Sequence, residues 1–214
     1  MAPHELVEQL LELPDVKAQQ QFLKQHASLL DNEVAAALKQ QADHFLRADI
    51  QRSLETANLL FNAADAAGNP LYRALSLLAE ANARSIGLGE YQPAVALYDQ
   101  AARIYREQNC PADEAQSQVG KIGALAHLGR YTQASEVGEW AGAVLEAHGR
   151  WRPLATLVMN LAIMHARQGD DARALALFDQ AGQVYRQLGE EGEDGWLWVQ
   201  LNRAHVLRNL GQFE

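Results

Sequence analysis

The sequence predicts an all-α fold in which antiparallel helix hairpins stack into a right-handed α-solenoid. The first observation behind this prediction is a set of four glycines that recur at intervals of about 40 residues, a period typical of one supersecondary unit packed on the next. The second is that small residues recur at fixed distances after these glycines, and the third is that no run of alternating β-branched residues indicates a strand. The glycines are Gly89, Gly129, Gly169 and Gly211.

Each turn glycine is followed by alanines in the same two places. A glycine at a helix end takes a positive φ without steric cost, so the chain reverses within a few residues. Alanines five and twelve residues later suit close helix crossings, since a larger side chain would push the axes apart. Nine residues after the glycines stand Tyr98, Gly138 and Phe178. The two aromatic rings are expected to fill the gap between neighbouring hairpins, and Gly138 predicts a looser or differently filled junction. The alanine columns are Ala94, Ala134 and Ala174, and Ala101, Ala141 and Ala181.

A second column with the same period marks the opposite turn of each unit. Asparagine and glycine best tolerate the left-handed conformation just past a helix end, so this column predicts the other end of each hairpin. Pro70, Pro111 and Pro153 follow within the first turn of the next helix, where the missing N–H costs nothing. The turn residues are Asn69, Asn109, Gly149 and Gly189.

The frame also predicts how the chain is divided. Counted back by one period from Gly89, it reaches Asp49 and predicts a degenerate first repeat with Leu54 and Phe61 in its columns. Before that repeat, the sequence predicts a capping hairpin with Asp15 as the N-cap of its second helix. The predicted cap is 1–31, and the array over 32–214 contains repeats at 32–69, 70–109, 110–149 and 150–189 and a partial repeat at 190–214.

The partial repeat has a predicted first helix at about Gly195 to Leu210 and stops three residues after Gly211. An α-solenoid that stops there exposes an apolar face. We therefore expect the natural protein to continue beyond Glu214.

The charge and the apolar segments narrow the class of partner and the compartment. Lys and Arg number 18 against 27 Asp and Glu, a formal charge of −9, which argues against nucleic acid. Glu5, Glu8 and Glu12 lie where a secretion signal needs a basic start and an apolar run. The most apolar stretch, residues 154–164, is shorter than the ~18 residues of a membrane span. Together with a single cysteine, Cys110, these features predict a cytoplasmic protein without a membrane partner.

The helix and turn columns occur together in Leu88-Gly89-x-Tyr91-x-x-Ala94-x-x-x-Tyr98-x-x-Ala101. The same pattern recurs in part from Leu128-Gly129 and from Asn160-Leu161-Ala162. These residues resemble the tetratricopeptide repeat (TPR) family over about residues 32–214. The period exceeds the family's usual ~34 residues, so the resemblance is to a long-period variant. Gln118 and Lys121 depart from the pattern, because these first-helix positions are normally apolar. The resemblance implies a protein-protein interaction scaffold that is not an enzyme.

The opening segment carries a second resemblance. Phe22-Leu23-x-x-His26, followed by Leu29-Leu30, is similar to the start of large bacterial proteins in which such repeats precede a caspase-like CHAT protease domain. This resemblance implies that the catalytic His and Cys of such a domain would lie beyond Glu214.

The resemblance to TPR proteins also implies a binding groove, because their first helices line a concave face. Asn160 and Asn202 hold matching positions in successive units, and an asparagine there can donate to and accept from the backbone of an extended peptide. The alternative is that both asparagines form hydrogen bonds within the helix pair. The same face is expected to carry Met159, Ile163, Arg167, Leu201, His205 and Arg208, and earlier Ala79, Glu80, Ala83, Val119 and Gly123.

Other candidate sites have simpler explanations. Cys110 lies in a turn with no histidine nearby in sequence, and the seven histidines show no paired metal spacing. The acidic loop 190–194 lacks the alternating ligands of a calcium loop. Trp196 and Trp198 cannot share a helix face, so one is expected in the core and one at the surface, as a partner anchor or packed on a following helix. No catalytic residue, metal or cofactor is predicted.

Three functions remain open from the sequence. The first is a scaffold that binds a peptide or protein in the groove, as the sensing or docking part of a larger bacterial protein. The second is a self-association module in which the open end near Glu214 and the capping hairpin pack on like surfaces to form homo-oligomers. The third is the regulatory region of an enzyme, such as a CHAT protease.

Overall fold

The structure is a computed structural model that describes residues 3–211, and it divides into two compact units, Met1–Cys110 and Pro111–Glu214. No strand occurs among the described residues, and none of their helices is long and apolar enough to cross a membrane. The first unit contains α1 (Pro3–Glu12), α2 (Val16–Gln25), α3 (Asn32–Phe45), α4 (Ile50–Ala67), α5 (Pro70–Asn82) and α6 (Tyr91–Glu107). The second contains α7 (Pro111–Ser117), α8 (Val119–His127), α9 (Tyr131–Ala147), α10 (Trp151–Arg167), α11 (Asp171–Gln187) and α12 (Glu193–Asn209).

Helices that follow one another in sequence pack on one another within each unit, which confirms the predicted all-α, hairpin-based fold. In the first unit α3 pairs with α4 and α5 with α6. In the second, α7 and α8 together pair with α9, α10 pairs with α11, and α12 packs on α11. A π-helical turn, Ala83–Leu88, extends α5, and 3₁₀ turns occupy Ala27–Leu29 and Gly189–Gly192.

The predicted turn glycines have the backbone that the sequence required. Gly89, Gly129, Gly169 and Gly211 have φ between 69° and 79°, in the left-handed region. In the opposite column Gly149 and Gly189 have φ of 65° and 62°, and Asn109 reaches 55° although it carries a Cβ. Gln212 and Phe213, which complete the last predicted turn, lie outside the described residues.

Asn69 is a correction to the predicted turn column. The left-handed residue at the end of α4 is Gly68, with φ of 62°, whereas Asn69 has φ of −106°. The Asn69 side chain instead caps α5 by accepting a hydrogen bond from the backbone N–H of Leu71 at 2.9 Å. Glycine takes the strained position at no steric cost, and this leaves asparagine free for the capping role that it also favours.

The first hairpin is offset by one residue from the predicted frame. Leu54 and Phe61, expected in the buried columns, are half-buried, while Ser53 and Leu60 are fully buried. The residues of α4 that match the buried columns of α6 therefore lie one position earlier than the period predicts. The turn before α4 has no glycine to mark the register. The residue at the counted position is Asp49, which has an extended backbone and caps α4 with its carboxylate.

The second helix of each later hairpin buries one stripe with spacing i, i+4, i+7 and i+11. Both alanine columns are 0% exposed, and Tyr98 and Phe178 between them are 1% exposed. The alanines of both columns are therefore fully buried, as small residues at helix contacts are expected to be. The stripes are Ala94, Tyr98, Ala101 and Tyr105 in α6; Ala134, Gly138, Ala141 and Leu145 in α9; and Ala174, Phe178, Ala181 and Tyr185 in α11.

Gly138 makes the differently filled junction that its column predicted. A Cβ on Gly138 would lie 3.0 Å from Cδ2 of Leu161, so this leucine of α10 fills the space that an aromatic ring takes elsewhere. The same hairpin has a break in its first helix at Gln118, where Lys121 Nζ donates to Gln118 Oε1 at 3.1 Å. Both polar side chains are buried at positions that the family pattern would fill with apolar residues.

The two N-terminal helices cover the apolar side of α3 and α4. Leu6, Leu10 and Leu23 are buried in one cluster with residues of α3 and α4. Asp15 is the N-cap of α2, as predicted, and accepts a hydrogen bond from the backbone N–H of Ala18 at 2.8 Å.

The turn before α12 gives a stability prediction. A Cβ on Gly192 would overlap the carbonyl oxygen of Tyr185 and lie 2.8 Å from its carbonyl carbon, and backbone atoms cannot move aside easily. We expect Gly192→Ala to lower the free energy of unfolding by about 1–3 kcal/mol, measured in urea. The matched control is Gly123→Ala in α8, where a Cβ meets nothing within 4 Å and helix propensity favours alanine by about 0.5–1 kcal/mol. Equal stabilities of the two variants would contradict this packing.

Candidate functional site

A cavity of about 460 Å³ opens between the first helices of two successive hairpins, α10 and α12, above the N-terminal half of α11. We call it the α10–α12 cavity. Four residues of the predicted groove line it, and five further residues complete the lining. The predicted ones are Ile163, Arg167, Asn202 and His205, and the others are Ala166, Asp171, Phe178, Val206 and Asn209.

The cavity has an apolar floor and a polar rim. Phe178 and Val206 are 1% and 3% exposed, and Ile163 is half-buried beside them. Arg167 and His205 at the rim are exposed. Such a combination suits an apolar side chain whose neighbouring polar groups receive hydrogen bonds at the rim.

The two asparagines of the predicted groove have different roles. Asn160 donates from Nδ2 to the carbonyl oxygen of Val119 at 2.9 Å, which ties α10 to the first helix of the preceding hairpin. Asn202 donates from Nδ2 to the carbonyl oxygen of Trp198 at 2.7 Å, within its own helix. Each amide thus uses a donor inside the protein. Asn202 lines the cavity and Asn160 does not.

The guanidinium groups of the predicted groove have imidazole partners. Arg167 Nη2 lies 3.1 Å from His127 Nε2, and Arg208 Nη2 lies 2.8 Å from His205 Nδ1. Partial burial, helped by the charge of Arg167, lowers the pKa of His127, so near pH 7 the ring is neutral and accepts from Arg167. By contrast, Arg203 forms an ion pair with a carboxylate. Arg167 and Arg208 therefore retain positive charge that no carboxylate in these contacts balances.

Other predicted groove residues lie elsewhere. Met159 is half-buried on α10 and Leu201 is 61% exposed on α12, but neither lines the cavity, and neither does Arg208. In the first unit Ala79 and Ala83 are fully buried, so their expected place in the groove is wrong. Of the remaining three, Val119 is buried at 8% exposure, Gly123 is half-buried, and Glu80 holds Arg84 in an ion pair at 2.8 Å.

Sequence reasoning missed the floor and one side of the cavity. Phe178 was expected only as packing between hairpins, and the same packing places its ring under the cavity. Val206 and Asn209 follow Asn202 by four and seven residues, so helical spacing from that asparagine could have found both. Asp171 gave no such signal, because its place at the start of α11 depends on the turn at Gly169.

The remaining candidates also have positions in the structure. Cys110 is half-buried against Ala74, Ala101 and Tyr105 in the first unit. Trp198 is 40% exposed, as expected of one of the two tryptophans, whereas Trp196 is half-buried and does not lie in the core as the other was expected to. Within the described residues no group of three or more His, Cys, Asp or Glu side chains is placed to hold a metal ion.

Comparison with known protein families gives a match to the α10–α11 hairpin, which forms part of the cavity. Residues 154–188, from the first turn of α10 to the end of α11, match the model of the tetratricopeptide repeat family. The match supports the predicted family, and it covers the helices that carry Ile163, Arg167 and Phe178. No curated protein matches this chain.

The two asparagines give a prediction that separates their roles. Asn160→Ala removes a hydrogen bond between hairpins, and we expect it to lower the free energy of unfolding by about 1 kcal/mol. Asn202→Ala removes a bond within one turn of an exposed helix and should change the free energy by no more than about 0.5 kcal/mol. Urea unfolding of both variants tests this, and a larger loss for Asn202→Ala would contradict the assignment.

Proposed function

We propose that the second unit binds a segment of a protein partner in the α10–α12 cavity and serves as a docking scaffold without enzymatic activity. Tetratricopeptide repeats are generally protein-protein interaction modules, and the family match lies on the hairpin at this cavity. The observation that carries the proposal is the pairing of an apolar floor with guanidinium, amide and imidazole groups on first helices of successive hairpins.

The chemistry of the lining defines the kind of segment that fits. An apolar side chain of the partner packs on Phe178, Ile163 and Val206, since burial of apolar area drives the association. Arg167 keeps N–H groups beyond the one that meets His127, and these donate to a carbonyl or carboxylate of the partner. The Asn202 Oδ1, which has no partner within residues 3–211, accepts a backbone N–H of an extended segment.

The remaining residues of the predicted groove have different roles in this proposal. Met159 lies one turn before Ile163 and extends the apolar surface along α10. Arg208 adds positive charge at the α12 side, although the chain as a whole carries −9. Asn160 contributes by holding α10 against α8 and has no direct contact with the partner in this proposal.

The proposal predicts which substitutions abolish binding. Peptides selected from a random displayed library on the intact chain should bind Arg167→Ala and Asn202→Ala each about tenfold more weakly, measured by fluorescence anisotropy. The matched control is Arg186→Ala on α11, an exposed arginine that does not line the cavity and should leave the Kd unchanged. Equal binding to the double variant Arg167→Ala/Asn202→Ala would overturn the proposal.

The wider setting stays a prediction. The hypothesis that this chain is the sensing or regulatory part of a larger bacterial protein with a CHAT domain is based on the opening segment. The family match at residues 154–188 does not extend to that segment. Cytoplasmic localisation likewise rests on the sequence alone.

A further inference from the structure

Helices α8, α10 and α12 end at equivalent residues, two positions before a turn glycine. His127 is the last residue of α8, Arg167 of α10 and Asn209 of α12. Arg167 and Asn209 line the α10–α12 cavity, whereas His127 lies one repeat earlier and outside the lining. The repeat thus brings an imidazole to the guanidinium of the candidate site, with His127 Nε2 at 3.1 Å from Arg167 Nη2 across 40 residues of chain.

His127 is the side chain that holds the Arg167 guanidinium in one direction. Arg167 is exposed, and within residues 3–211 its hydrogen-bond partner is this imidazole. No carboxylate in that range forms an ion pair with it, Asp171 of the cavity lining included. Ordering a long exposed side chain when a partner binds costs free energy. The contact with His127 removes part of that cost before the partner arrives.

This contact requires one protonation state of the imidazole. A guanidinium has donors and no acceptor, so His127 Nε2 must offer a lone pair while the ring proton is on Nδ1. A protonated imidazole has donors on both nitrogens and a positive charge. It repels the Arg167 guanidinium at this distance instead of holding it.

Arg167 also affects the titration of His127. The pKa of this imidazole is lowered, first by partial burial and second by the charge of Arg167. The ring is therefore neutral near pH 7 and takes up its proton below the ordinary value of about 6.5. Helix α7 adjoins the opposite end of α8 with Asp113 and Glu114. The other charged or titratable groups near the end of α8, on the turn and helices packed against it, are Arg130, Tyr131, Glu136 and His165.

We propose that His127 is a positioning residue of the α10–α12 cavity, which orients Arg167 toward the partner when neutral and releases it when protonated. This inference rests on the proposed function and adds to it a residue outside the lining and a dependence on pH. Binding is strongest above the pKa of His127 and weakens as the pH falls through it. By linkage, a partner that needs the neutral ring lowers the pKa of His127 further when it binds.

The affinity of the intact chain as a function of pH tests this inference. The probe is a peptide with blocked termini, selected from a displayed library that omits Asp, Glu, His, Cys and Tyr, so that its charge stays constant from about pH 8 to about pH 5. Isothermal titration calorimetry should give a Kd about threefold higher at about pH 5, because Arg167 must then be ordered on binding. Circular dichroism at both pH values checks that the chain stays folded.

Substitutions of His127 separate its effect on Arg167 from a merely structural one. His127→Gln places an amide oxygen near the position of Nε2 and does not titrate, so it should bind like the wild type at about pH 8 and lose the pH dependence. His127→Ala should bind about threefold more weakly at both pH values. The matched control is His148→Gln, an exposed histidine of the second unit that lies outside the cavity and should keep the wild-type pH profile.

A titration of the imidazole protons by nuclear magnetic resonance gives a second measure. The pKa of His127 should be lower in the peptide complex than in the free chain. An unchanged or raised pKa in the complex would contradict the inference.

Two further variants show which proposal has failed. Arg167→Ala should bind weakly and should no longer respond to His127→Ala, since the two residues act through one contact. If Arg167→Ala binds like the wild type, the proposed function is wrong and this inference falls with it. If Arg167→Ala weakens binding but His127→Ala does not, only the positioning role is overturned. A pH dependence that persists in His127→Gln, or that disappears in His205→Gln at the cavity lining, would also overturn it.

Discussion

The close approach of helices at alanine is the constraint on which the rest of this structure depends. In α6, α9 and α11 the alanines at the two fixed places are fully buried, as small residues at a close helix contact are, and one larger side chain fills the space between them. In α11 that residue is Phe178, and its ring becomes the floor of the α10–α12 cavity. The packing of the hairpin thus creates the apolar part of the candidate site.

Residues at equivalent positions in successive hairpins lie on the same face of their helices. Their roles differ because the groups to which they form hydrogen bonds differ. Asn160 and Asn202 occupy one column, yet the first reaches the Val119 carbonyl of a neighbouring hairpin and the second bonds within its own helix. The same holds for the face that carries Ala155 and Ala162, which are fully buried on α10, whereas the matching Leu197 and Ala204 are exposed on α12. The candidate site in this array thus lies where the contacts of equivalent residues differ between α10 and α12.

Sequence periodicity predicted the turn glycines and the buried alanines, because both follow from helical spacing and backbone conformation. The resemblance to tetratricopeptide repeats implied four of the residues that line the cavity. The periodicity failed by one residue in the first hairpin, where Asp49 rather than a glycine precedes α4 and nothing in the sequence marks the register. The groove positions that the resemblance implied for Ala79 and Ala83 are wrong, because a small residue on a first helix can lie in the core as easily as in a groove. The partner of Asn160 was beyond reach, since a period does not specify which carbonyl lies opposite a side chain.

The central claim, that buried alanines set the spacing of the helices, is tested most directly by enlarging them. Urea unfolding of Ala101→Leu and Ala181→Leu should show losses of about 1–3 kcal/mol each, because the larger side chain forces the helices apart. Ala176→Leu, on the exposed side of α11, should change the free energy by no more than about 0.5 kcal/mol. Three variants of equal stability would contradict the account.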